Sequence, residues 1–70
     1  MHIFNQVNVR LLQNKSDYLA YIEQLPQVQA SGETLAQAKD NLMIELERYE
    51  KQTYSTYTIV EYKYQNTSFF

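Results

Sequence analysis

Apolar and polar side chains alternate over residues 3–12. Ile3, Val7, Val9 and Leu11 share one parity, and Gln6, Asn8 and Arg10 share the other. A period of two with a valine-rich face predicts a half-buried β-strand. Asn14-Lys15-Ser16-Asp17 is a polar turn, and residues 18–24 (YLAYIEQ) form a second strand, so the two make an antiparallel hairpin. Leu25-Pro26-Gln27 interrupts the ladder, because proline has no N–H to donate, and Val28–Ser31 is a short third strand. The period then changes. Leu35, Ala38, Leu42, Leu46 and Tyr49 recur at steps of three and four, which is one face of a helix over residues 35–51. Thr34 stands at its N-cap, with Gln37 at the capping-box spacing, and Glu47 and Lys51 stand one turn apart in the favourable order. Residues 53–64 (TYSTYTIVEYKY) have strand composition. Tyr54, Thr56, Thr58, Val60, Tyr62 and Tyr64 fall on one parity, and Ser55, Tyr57, Ile59, Glu61 and Lys63 on the other.

The order strand, strand, strand, helix, strand predicts an α+β domain of two layers. An antiparallel sheet of three to four strands carries one amphipathic helix. Residues 1–64 make the single domain, and Gln65–Phe70 is a frayed tail. No helix remains to cover the other sheet face, which is therefore expected to be polar or to meet another copy.

Length sharpens that expectation. A chain of 70 residues can bury only about 60% of its extended surface, near the lower limit for independent folding. Small domains add disulfides, a metal or a second copy of themselves. Cysteine is absent, and His2 is the single histidine, read as an ordinary exposed side chain. That removes disulfides, cysteine–zinc sites and thiol catalysis, so no metal and no cofactor are expected. A homo-oligomer, dimer or tetramer, is expected instead. Met1–Arg10 lacks a basic segment followed by a long apolar core, and no run approaches the ~18 apolar residues of a membrane span. The expected compartment is the cytoplasm, with no membrane partner.

Six basic side chains stand against eight acidic ones, for a net charge of −2. Arg10, Lys15, Lys39, Arg48, Lys51 and Lys63 are scattered and build no groove-tracking stripe, which argues against a nucleic-acid partner. Glu33, Asp40, Glu45, Glu47 and Glu50 crowd one segment, which suits a basic partner or a solvated helix face. Asp17, Glu23 and Glu61 are the carboxylates available for metal-dependent hydrolysis, but the turn and strand positions they occupy favour solvated surface. There is no glycine-rich phosphate loop and no Ser-His-Asp set, so no catalytic residue is assigned.

From Tyr18 to Lys51 the chain resembles the HicB antitoxin family, the antitoxin half of HicA–HicB toxin–antitoxin pairs. The resemblance rests on Tyr18-Leu19-Ala20, Leu25-Pro26, Ser31-Gly32-Glu33-Thr34, Ala38, Asn41 and the helix through Glu45. The family pattern has a strand ending in Leu-Pro-Gly, a Gly-Asp-Thr or Gly-Glu-Thr helix start, and alanine and asparagine further along. Gln27 departs from it, standing where glycine is usual. The resemblance implies a partial ribonuclease H-like fold without catalysis, and a small basic ribonuclease of HicA type as protein partner. Longer relatives carry a DNA-binding domain after the last strand. The chain ends at Phe70 without one, so direct DNA binding is not expected. An orphan HicB-like oligomer without a toxin is the alternative.

Each motif residue has a structural role to fill. Leu25 and Pro26 mark the turn, Gly32 gives a positive φ or a close approach, Thr34 caps, Ala38 lets the helix lie close, and Asn41 bonds a neighbouring loop. For partner binding, Asp40, Glu47 and Glu50 are expected to steer a basic protein, and Tyr54, Tyr57, Tyr62 and Tyr64 to supply contact area. The same tyrosines could stack bases, but a net negative chain favours packing or a dimer interface. Phe69 and Phe70 end the tail as free residues or dock on a neighbouring copy.

Overall fold

The computed structural model describes residues 5–65: β1 (Asn5–Gln13), β2 (Tyr18–Ile22), β3 (Leu25–Gly32), α1 (Leu35–Thr53) and β4 (Tyr57–Gln65). His2, Phe69 and Phe70 lie outside the described residues, as does the tail beyond Gln65. Four strands in the order β3-β2-β1-β4 form one sheet, with α1 on one face. The two-layer α+β architecture with a single helix is the expected one.

One pairing differs from expectation. β1–β2 and β2–β3 are antiparallel, but β4 runs parallel to β1, so the sheet is mixed. Direction counting gives the reason. Two hairpins make β3 run the same way as β1. A helix of 19 residues spans about 28 Å at ~1.5 Å per residue and carries the chain back along the sheet, so β4 starts again at the same end.

The alternation in β1 builds the core. Val7, Val9 and Leu11 point inward with Ala20 and Ile22 of β2 and Val28 of β3, and Ala38, Leu42 and Leu46 of α1 close over them. All nine are buried, and Leu35 and Tyr49 flank them at half burial, so the helical face read from spacing is the face that packs. Thr34 is the N-cap, its Oγ1 accepting from Gln37 N at 3.1 Å. The helix continues to Thr53 and stops at Tyr54, which adopts a left-handed conformation (φ 54°).

Proline interrupts the ladder where expected: Leu25 pairs with Ile22 and Gln29 with Tyr21, while Pro26, Gln27 and Val28 between them have no partner on β2. The hairpin turns at Glu23 and Gln24, and β3 already begins at Leu25, with a register shift beside Ile22. Pro26 is tolerated inside β3 because β3 is an edge strand, where one side of the backbone needs no partner. Leu25 packs against the core and Pro26 is exposed. Gln65 closes β4 rather than opening a tail.

β4 corrects a second expectation. Its register against β1 slips between Val7 and Asn8, which pair with Ile59 and Glu61, leaving Val60 as a bulge. Parity inverts there. Tyr57 and Ile59 share the helix side with Tyr62 and Tyr64, while Thr58 falls with Glu61 and Lys63 on the open side.

Candidate interaction surfaces

The sheet face opposite α1 is polar at its centre, the first of the two alternatives expected for it. Glu23 lies opposite Asn8, next to the aligned pair Arg10 and Lys63. Arg10 donates to Glu23 Oε2 from Nε at 2.7 Å and lies 2.6 Å from it through Nη2. Asn8 Nδ2 donates to Glu23 Oε1 at 3.1 Å, and Lys63 Nζ stands 3.7 Å from the same oxygen. These hydrogen bonds, first from Asn8 and then from Arg10, hold the Glu23 carboxyl below its ordinary pKa of 4.5.

The sign of the pH effect follows. A lowered folded-state pKa means that Glu23 stabilises the fold above 4.5 and loses that contribution as pH falls through its folded value. Glu23→Gln is therefore expected to lower the thermal midpoint at pH 7, and the gap from wild type should close as both are acidified. A gap independent of pH would show that ionisation of Glu23 is not what the cluster uses.

As a catalytic candidate Glu23 is fully engaged. Asp17 stands at the far end of β2, six residues away, or about 20 Å at ~3.3 Å per residue. Glu61 is exposed on β4. Among the described residues no three His, Cys, Asp or Glu side chains come together to hold a metal.

The acidic segment divides into separate roles. Glu45 pairs with Arg48 at 3.3 Å. Glu50 turns inward, its Oε2 accepting from the backbone N–H of Tyr57 at 2.8 Å, and so holds the start of β4. Asp40 and Glu47 remain exposed on the outer face of α1. Between them lie Met43 and Ile44, 40% and 50% exposed. Positions 40, 43, 44 and 47 form one helical stripe, an apolar centre with an acid at each end. Met43 and Ile44 were missed in the sequence. Their signal was present, as two apolar residues lying off the buried 35/38/42/46/49 face.

The tyrosines also separate. Tyr54 is 96% exposed but belongs to the helix cap, not to the last strand, because the helix runs two residues further than its spacing predicts. Tyr57 is half-buried against the core, its ring 5.8 Å from that of Tyr49. Tyr62 and Tyr64 are 45% and 48% exposed on the helix side of β4. The Lys39 ammonium sits 4.8 Å from the Tyr62 ring centre, and Tyr64 Oη bonds Gln13 Oε1 at 3.3 Å. They stay half-exposed because α1 lies mainly over β3 and β2, reaching β4 through Tyr49 at Tyr57 and Lys39 at Tyr62.

The remaining motif residues meet at one junction between β3 and α1. Asn41 Nδ2 donates to the Ser31 carbonyl at 2.8 Å, so its neighbour is the end of a strand, not a loop. Gln37 Oε1 accepts from Glu33 N at 2.8 Å, and Ala38 is fully buried. Gly32 has no positive φ; it serves the close approach. A shallow groove beyond this junction is lined by Gln27, Val28, Glu45, Arg48, Tyr49 and Gln52. No described helix is long and apolar enough to cross a membrane. Comparison with family models, with curated proteins and with solved structures finds no match to this chain.

Proposed function

We propose that this chain is a non-catalytic, HicB-like binding protein that sequesters a small basic ribonuclease of HicA type. The observation that carries this reading is the β3–α1 junction. Gly32, Thr34, Ala38 and Asn41, the residues of the HicB resemblance, each fill a distinct structural role there, within a β-β-β-α-β order. That junction fixes how α1 lies and so presents its outer stripe. Met43 and Ile44 would be the desolvated centre of the contact, and Asp40 and Glu47 would attract a cationic partner.

A tagged chain drawn from its own host's lysate is expected to bring down one small basic protein in near-equal amount, with RNA-cleaving activity that the chain suppresses. Recovery of the chain alone would sink the toxin reading and favour an orphan oligomer, for which the exposed edge of β4 is the supporting observation. With the partner in hand, Asp40→Lys with Glu47→Lys should slow association by about tenfold at low salt, and less at high salt. Ile44→Asp should speed dissociation instead, because it places a charge in the dry centre of the contact. An unchanged association rate in the charge-reversed variant would remove Asp40 and Glu47 from the interface.

A further inference from the structure

We propose that two copies of this chain pair antiparallel through the outer edge of β4, about a two-fold axis at Tyr62, joining their sheets into one. The proposal is independent of the toxin reading. β4 is an edge strand, and among the described residues no strand pairs with its outer side. Sheet edges are normally blunted by proline, bulges or a covering element. β3, the other edge, carries Pro26 and a register shift. β4 has its bulge at Val60, but from Glu61 to Gln65 it runs regularly along β1 with neither proline nor glycine.

The sequence of β4 selects the partner and the register. A two-fold axis normal to the sheet is the symmetry that sets two copies of one edge side by side and antiparallel, and it places both helices on the same side. Centred on Glu61 it opposes two glutamates, and centred on Lys63 two lysines, both unfavourable across strands. Centred on Tyr62, it sets Glu61 opposite Lys63 of the second copy, and Lys63 opposite its Glu61. Glu61 is exposed and has no ion-pair partner among the described residues, while Lys63 already stands beside Glu23 on the same face. On the helix side the axis brings Tyr62 against its own copy, with Tyr64 two residues along on each strand, both 45–48% exposed in the single chain. Because α1 lies mainly over β3 and β2, the two helices would flank this aromatic seam, each reaching it through Lys39 over Tyr62. The charge pattern is thus complementary to itself in one register, and an unrelated strand would match it only by repeating Glu-Tyr-Lys.

Sedimentation equilibrium at about 100 µM, where a micromolar contact is saturated, should give twice the 8.4 kDa chain mass. Glu61→Lys and Lys63→Glu should each raise the dimer dissociation constant by about tenfold or more, since each opposes like charges twice. Mixed together, the two variants should re-form a heterodimer, because lysine at 61 and 63 in one then faces glutamate at 63 and 61 in the other. The chain has no cysteine. Tyr62→Cys should therefore cross-link under oxidation, directly opposed strand residues being within disulfide reach, while Gln29→Cys on β3 should not. The proposal is overturned if wild type sediments at the single-chain mass. It is also overturned if the charge variants neither weaken the dimer nor complement each other, or if Gln29→Cys cross-links as readily as Tyr62→Cys.

Discussion

Leu42→Ala is expected to remove about half of the folding free energy of this domain, or more. Leu42 is fully buried on α1, between Ala38 and Leu46, in the cluster that also holds Val9, Ile22 and Val28. Cutting leucine to alanine in a packed core costs about 2–5 kcal/mol, from lost transfer free energy and from the cavity left behind. At ~0.05–0.15 kcal/mol per residue, a chain of 70 residues has roughly 3.5–10 kcal/mol in total. No disulfide shares the load, so the core must carry it. Ile44→Ala, two residues along the same helix but on its half-exposed outer face, is the control and should change stability by about 0.5 kcal/mol or less. The measurement is the urea midpoint of each variant at constant slope. Equal losses in the two variants would mean that the helix is not held through its 38/42/46 face.

The helix and its buried face were legible in the sequence because a single regular period carries both. Five apolar residues at steps of three and four can point only one way on a helix, and Thr34 with Gln37 marks the start. The β1–β2 hairpin was legible for the same reason, with a period of two and a polar turn. What escaped was everything set by how elements meet. The parallel pairing of β4 with β1 follows from counting chain directions, which no single segment displays. Pro26 interrupts the pairing as it reads, but that the strand continues through the break from Leu25 to Gly32 depends on its place at the sheet edge. The bulge at Val60 uses no glycine or other marker residue, so alternation assigned Tyr62 and Tyr64 to the parity of Thr58 when they belong with Tyr57 and Ile59. The Asn8–Arg10–Glu23–Lys63 cluster joins β1, β4 and the β2–β3 turn, and has no local signature at all. Glu50 looked like its acidic neighbours, and only the arrival of Tyr57 N–H separates it from them.

Gly32→Ala is expected to destabilise the domain by about 2–4 kcal/mol, and the reason is space, not backbone conformation. Gly32 has no positive φ, so alanine could adopt its dihedral angles, and on that ground alone the substitution would stabilise by about 0.4–1 kcal/mol through the unfolded chain. The added Cβ, however, would lie 2.6 Å from Ala38 N, 2.7 Å from Gln37 Cβ and 2.9 Å from Gln37 C. Two of those three atoms are helix backbone and cannot swing aside. The first turn of α1 must lift from the end of β3, at a cost of about 1–3 kcal/mol for the overpacked contact. Lifting it also stretches the Asn41–Ser31 hydrogen bond, worth about 1 kcal/mol, and opens the contact that buries Ala38. Ala38→Gly should not rescue the variant, because the nearest clash is with the backbone nitrogen of residue 38 and not with its methyl group. Hydrogen exchange localises the damage. The Ala38 amide, bonded to the Thr34 carbonyl at 3.0 Å, should lose protection before the β1–β2 amides do. If Gly32→Ala is as stable as wild type, the strand end and the helix start are not pressed together. Glycine would then owe its place in the Ser31-Gly32-Glu33-Thr34 motif to something other than the close approach that seats α1 on the sheet.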